Sequence, residues 1–168
     1  MTEGSPLYRL LNEIKLAASH GMPFLAITMT LTLPDLCVSL SAKDGRTSAE
    51  EYKKWCTSYL PEDKFKYLTV DDIYSMRCGV IHNGRFGDLK HNVGRIIFTL
   101  PPTNMQACIS NDAYLYNVVE FCGYFADAVY RWHEANKTAA TVQENLSRLM
   151  QYRAEGFPPY IMGVGVLA

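Results

Sequence analysis

The stretch from Pro23 to about Ser41, PFLAITMTLTLPDLCVSLS, most constrains the fold, because it is apolar nearly all round. A helix without a polar face is stable in water only when other elements cover it, so this segment reads as a central, buried helix. Its longest apolar run, Phe24 to Leu33, is ten residues long, short of the roughly 20 that span a bilayer. The threonines in it can bond back to the preceding turn. Pro34 cannot continue the hydrogen-bond ladder, and a kink is expected there. Asp35 beside it reads either as a buried acid or as a local cap of the kinked turn.

Other segments carry the signs of helices that could wrap such a centre. Ser5-Pro6 starts one, with Ser as cap and Pro at the first position, and Gly21 ends it; Leu7, Leu10, Leu11, Ile14 and Leu16-Ala17 give its apolar face. Lys43 to Arg46 is a turn, and Ser48 caps a helix over Ala49 to Tyr59 whose Tyr52, Trp55 and Tyr59 form a core stripe. Arg95 to Leu100 is β-branched and aromatic and is stopped by Pro101-Pro102, so a short strand is expected, with another over Gln106 to Ile109. Asp112 is expected to cap the longest helix, running to about Asn136. Its core face draws on Leu115, Val118, Val119, Cys122, Phe125, Val129 and Trp132, with Phe121 at the margin. A last helix covers Ala139 to about Tyr152. The apolar tail from Phe157 is expected to pair with the strand around Ile97. The expected fold is one mainly α domain over residues 1–168, a helical bundle with a small β-strand pair formed by about 94–100 and the C-terminal tail.

Composition narrows the function classes. At 168 residues and 48% hydrophobic, the chain can bury a sizeable core. A net charge of −1 supplies no global basic field for nucleic acid, so any RNA-binding surface must be a local patch. Arg85 to Arg95, with Lys90 and His91 against Asp88, is one candidate and Lys64 with Lys66 another; both also read as solvated loop faces. The five cysteines are widely spaced without a CxxC pair, which speaks for reduced thiols and a cytoplasmic protein rather than disulfides or a zinc site. The first twenty residues, with Glu3, Arg9, Glu13 and Lys15, do not read as a signal peptide. No phosphate loop, GxSxG, HExxH or paired metal-ligand motif is present.

The chemistry concentrates in Thr69 to Gly84. Thr69 with Asp72 three residues on forms a capping box, and Asn83-Gly84 is a stop signal, so a helix lies between. Ile73, Met76 and Val80 share one face, and Arg77 falls beside or within it. A guanidinium there costs free energy unless an anion meets it: Asp72, Glu120 or a ligand. His82 sits in the last turn, where the negative helix end favours an imidazolium. Arg77 and His82 point roughly 140° apart on an ideal helix, so acting together requires a distorted turn, a deep cleft or a second chain. Cys78 and His82, four apart, also allow a thiol nucleophile, but nothing orients the histidine.

The run Asp72-Ile-Tyr-Ser-Met-Arg77-Cys-Gly-Val-Ile-His82-Asn-Gly resembles the signature helix of the HEPN superfamily, in which Arg, four to six residues and His form the active site of metal-independent endoribonucleases. The surrounding helices agree in order. The resemblance implies a helical bundle that dimerises so that two Arg/His sets face one cleft. It implies cleavage of RNA by a ribose 2′-hydroxyl, with His82 as general acid or base and Arg77 on the phosphate. Asn83 would position phosphate or ribose, with Arg85, Lys90 and His91 as further substrate contacts. No metal or other cofactor is implied. A homodimer acting as toxin or defence effector, held by an antitoxin or other partner protein and away from membranes, is the corresponding biology. Many active members carry a polar residue where Cys78 stands, and the family includes inactive binding and dimerisation modules, which is the alternative function.

Overall fold

A computed structural model describes residue 1, residues 5–86 and residues 95–168. The helices are α1 (Pro6–Ser19), α2 (Pro23–Ser41), α3 (Ala49–Tyr59), α4 (Val70–Asn83), α5 (Val118–Asn136) and α6 (Ala140–Ser147). The starts of α1, α3 and α4 are those the caps dictate. The Ser5 hydroxyl accepts from the Tyr8 amide, and Ser48 and Thr69 each form a reciprocal capping box, with Glu51 and Asp72 respectively.

The apolar second helix is the hub. α2 touches α1, α3, α4, α5 and α6, and Ala26, Ile27, Leu31, Leu33, Cys37 and Leu40 are buried on it. Its length and composition would also suit a membrane span, but here eight of its 19 residues are buried in the bundle. The cover is incomplete at its start, where Phe24, Leu25 and Met29 face solvent. Pro34 lies inside the helix. Thr32 donates back to the Met29 carbonyl at 2.8 Å, as expected of a hydroxyl on a helix interior.

The β element departs from expectation. The strand β1 (Arg95–Thr99) pairs in parallel with β3 (Ala113–Asn117), which also pairs antiparallel with β2 (Cys108–Ser110), giving the order β1-β3-β2. The tail pairs with itself instead: β4 (Tyr152–Arg153) with β7 (Val166–Leu167), and β5 (Gly156–Phe157) with β6 (Ile161–Met162). The partner of β1 is therefore Ala-Tyr-Leu-Tyr-Asn, a stretch expected to be helical. Its aromatic alternation suits a pleated surface, with Ala113, Leu115 and Tyr116 buried.

The long helix consequently starts at Val118, and Asn117 rather than Asp112 caps it, its side-chain oxygen accepting from Val119 and Glu120 at 2.9 and 3.0 Å. Its inward face also differs. Phe121 is 0% exposed and Val119 37%, the reverse of the assignment from periodicity. Phe121 sits between Phe65, Phe98, Tyr116 and Phe125, with ring centroids 5.0–6.0 Å away. The last helix stops at Ser147, and the chain is extended again by Tyr152.

Candidate functional site

The site grows from the two ends of α4. At its start Asp72 accepts from the Thr69 amide and hydroxyl at 3.0 and 2.7 Å. Its last turn is closed by Gly84 at φ 66°, a left-handed conformation that a side chain resists. Ile73, Met76 and Val80 are buried. With that face fixed inward, Arg77 must pass between α4 and α2.

There it meets neither of the acids considered from sequence. Asp72 is engaged at the helix cap and Glu120 accepts from the Tyr124 hydroxyl. The partner is Asp35: Arg77 Nε donates to Asp35 Oδ2 at 2.7 Å, and the two side chains are 23% and 22% exposed. Burial alone would lower the guanidinium pKa, but the hydrogen bond and charge of Asp35, with a smaller contribution from Cys78, push it above the usual arginine value. Both readings of Asp35 are thus replaced by a third, an acid that holds an arginine from another helix. Thr47 donates to the Asp35 carbonyl at 2.9 Å, fastening the loop before α3 to the same point.

Asp35 takes Nε and leaves the terminal nitrogens. Nη1 faces Cys78 Sγ at 3.9 Å, a weak contact. The neighbouring Cys78 thiol, with burial, pushes the Tyr74 pKa up. Tyr74 in turn lies edge-on to the buried Tyr52, whose hydroxyl donates to the Leu31 carbonyl at 2.8 Å. Cys78 thus lies beside Arg77 and Tyr74, and it makes no bond to His82. The thiol-histidine pair is not assembled.

Arg77 and Asp35 form part of the wall of a cleft of about 850 Å³. Its other walls come from α1 (Arg9, Leu10, Glu13), from α2 (Met29, Thr32, Leu36) and from the C-terminal segment (Met150, Tyr152, Leu167). That volume accommodates a small-molecule or nucleotide-sized ligand.

His82 is not on this cleft. It is exposed in the last turn of α4, and Asn83 beside it is exposed as well. His82 makes no side-chain hydrogen bond to another described residue, and Gly84 is the residue that caps the helix. Arg85 borders a separate, apolar cleft of about 430 Å³ with Phe24, Phe86, Ile97 and Leu100. Lys90 and His91, and the greater part of the basic patch they belong to, lie outside the described residues. Lys64 and Lys66 behave as surface cations, Lys64 beside Asp63 at 3.2 Å and Lys66 over the Tyr67 ring. Of the four expected site residues that lie among the described ones, Arg77, His82, Asn83 and Arg85, only Arg77 lines the large cleft.

Three cleft residues were not expected from sequence. Asp35 had a usable signal, because it and Arg77 are opposite charges each set among apolar residues, and such charges tend to find each other. Arg9 and Tyr152 had none, since only the return of the C-terminal segment onto α1 brings them together. No family model, curated protein or solved structure matches the chain.

Proposed function

We propose that the chain is a metal-independent endoribonuclease of HEPN type whose site is completed by two copies, one giving Arg77 and the other His82. The observation that carries this reading is the way Arg77 is held: Asp35 fixes it through Nε in an open cleft, leaving the terminal nitrogens as donors for an anion. His82 faces solvent on the same helix, where a second copy could meet it.

In this mechanism the ribose 2′-oxygen attacks the adjacent phosphorus as His82 removes its proton. A bond forms from O2′ to phosphorus and the bond to the 5′-oxygen breaks. The leaving oxygen takes a proton from water, and His82 gives up the one it removed to the hydroxide left behind, giving a 2′,3′-cyclic phosphate and a 5′-hydroxyl. Arg77 stabilises the charge that develops on the non-bridging oxygens. Asn83 positions ribose or phosphate, and Arg85, Lys90 and His91 supply the local positive surface that a net charge of −1 denies the molecule as a whole. Such an enzyme would act in the cytoplasm as a toxin or defence effector restrained by a partner protein.

The Arg77–Asp35 ion pair supports a second reading, because it also neutralises the guanidinium. In that case the chain is a non-catalytic HEPN-like module binding a nucleotide or a protein.

One experiment separates the two. A mixed RNA pool is incubated in EDTA with wild type, Arg77→Ala, His82→Ala and a refolded mixture of the two variants. The ribonuclease reading expects cleavage by the wild type, none by either variant, and recovery in the mixture. Half of randomly reassorted dimers carry one intact site of two, so the mixture should regain about a quarter of the activity. No cleavage by any sample leaves the binding module. Cleavage by His82→Ala equal to the wild type rules out the assigned chemistry. Light scattering should give about twice the 19.0 kDa chain mass.

A further inference from the structure

The large cleft has a second feature that the cleavage chemistry does not use. On the lining contributed by α1 and the C-terminal segment, the Arg9 guanidinium carbon lies 4.7 Å from the centre of the Tyr152 ring. Tyr152 is 51% exposed, so part of the ring is open to a ligand. An aromatic ring with a guanidinium over it is a surface on which nucleobases stack, irrespective of their sequence. The same cleft is also lined by the apolar Leu10, Met29 and Leu36.

Charge limits what can occupy the space. The cleft carries two guanidiniums, Arg9 and Arg77, and two carboxylates, Glu13 and Asp35, so its formal charge is zero. A ligand with several phosphate charges would meet two carboxylates without a surplus of cations. One singly charged phosphodiester attached to a flat, largely apolar base fits better.

We propose that this cleft is a nucleotide subsite: a phosphodiester rests on the terminal nitrogens of Arg77 and the adjoining base stacks on the Arg9–Tyr152 wall. The assignment of the phosphodiester to Arg77 rests on the ribonuclease reading, whereas the stacking wall does not. The shared chemistry, a base next to a phosphodiester, can come from an RNA chain or from a free cyclic nucleotide.

The test is fluorescence anisotropy with a labelled 2′-O-methyl RNA tetranucleotide, which lacks the 2′-hydroxyl nucleophile and cannot be cleaved by this route. A second probe has the same backbone with abasic residues, and unlabelled 3′,5′-cyclic AMP serves as competitor. The wild type should bind the base-bearing probe about tenfold more tightly than the abasic one. Tyr152→Leu should reduce that ratio to about one, and Tyr152→Phe should keep it. A purely structural Tyr152 would change binding of both probes equally, so the ratio reports stacking even if Tyr152→Leu loosens the segment. Displacement by cyclic AMP would identify the free nucleotide as a ligand; binding of the tetranucleotide without displacement would identify the RNA chain. Equal affinity for both probes in the wild type, an unchanged ratio in Tyr152→Leu, or no binding by the wild type overturns the subsite. An RNase that cleaves through His82 but shows no base-dependent ratio loses this inference alone. Base-dependent binding without any cleavage loses the ribonuclease reading and with it the assignment of the phosphodiester to Arg77, and keeps the stacking wall.

Discussion

The helix α5 and the C-terminal segment from Met150 are both rich in apolar residues, yet they meet opposite fates. On α5, Val118, Phe121, Cys122, Phe125, Val129 and Trp132 are all buried, and the aromatic cluster about Phe121 joins the sheet to the bundle. In the segment, Met150, Tyr160, Met162 and Leu167 are 67%, 81%, 73% and 62% exposed. The difference is one of geometry. Nineteen residues at helical period give α5 a continuous face for its neighbours. The segment has two ladders of two residue pairs each, and strands that short have no face to bury. The reciprocal Gln151–Ala168 bonds close the segment on itself, and it is attached to the bundle by the Gln151 side chain donating to the Ser147 carbonyl, by Leu149 against the core and by Arg9 over Tyr152. The Arg77 cleft therefore has one wall built into the core and one lightly held.

Substitutions test that contrast directly. Phe121→Ala should lose about 3–5 kcal/mol of unfolding free energy, the cost of a large cavity at the centre of an aromatic cluster. Tyr160→Ala should stay within about 0.5 kcal/mol in the same urea titration. Comparable losses in the two variants would mean that the segment is part of the core. Asp35→Ala comes next. It leaves the Arg77 guanidinium about three-quarters buried without its partner, and the residual exposure limits the loss to about 2 kcal/mol. On the ribonuclease reading it also releases Arg77, so cleavage should fall further than stability, with Asp35→Asn partly restoring both. Gly156→Ala acts on the lightly held wall. Gly156 has φ +95°, and an added Cβ would collide with the Ile161 carbonyl. The cost should be about 1 kcal/mol and local: amide exchange should accelerate in residues 151–168 while α5 is unchanged.

How far the sequence could be read follows the same contrast. The first four helices were legible to within a residue or two: α1, α3 and α4 start at local chemical causes in Ser5-Pro6, Ser48 and Thr69 with Asp72, α4 ends at Gly84, and α2 starts at Pro23 without a side-chain cap. The start of α5 was not, because Asp112 and Asn117 are both good caps and only pairing with β1 makes Ala113–Asn117 a strand. The partner of β1 was missed for the same non-local reason, and so was the self-pairing of the tail. At the site, the misfit of Arg77 was legible, but its partner lies 42 residues away. The face of α4 that left Arg77 and His82 apart was legible too. The cleft itself was not, since it exists only where the C-terminal segment returns to α1 and α2.

The smallest effect concerns acid and should separate the two regions without a cavity. His133 lies on α5, 9% exposed, with Nδ1 3.5 Å from Glu134 Oε1. Burial first, and then the nearby Met1 ammonium, lower its pKa below the ordinary 6.5, against the opposing pull of Glu134. The sign follows from which state binds the proton first. As pH falls through about 6.5 the unfolded chain takes up a proton that the native imidazole still refuses, so the native state loses stability until its own lower pKa is reached. Above that window the contribution is constant. Urea midpoints of wild type and His133→Gln between pH 5.5 and 7.5 should therefore differ in slope, with the wild type falling more steeply toward acid. The segment from Met150 carries no histidine, so its local opening by amide exchange, corrected for the intrinsic rate, should stay level across the same window. A parallel decline there would mean that the segment opens only when α5 does, and the two walls of the cleft would be one cooperative unit.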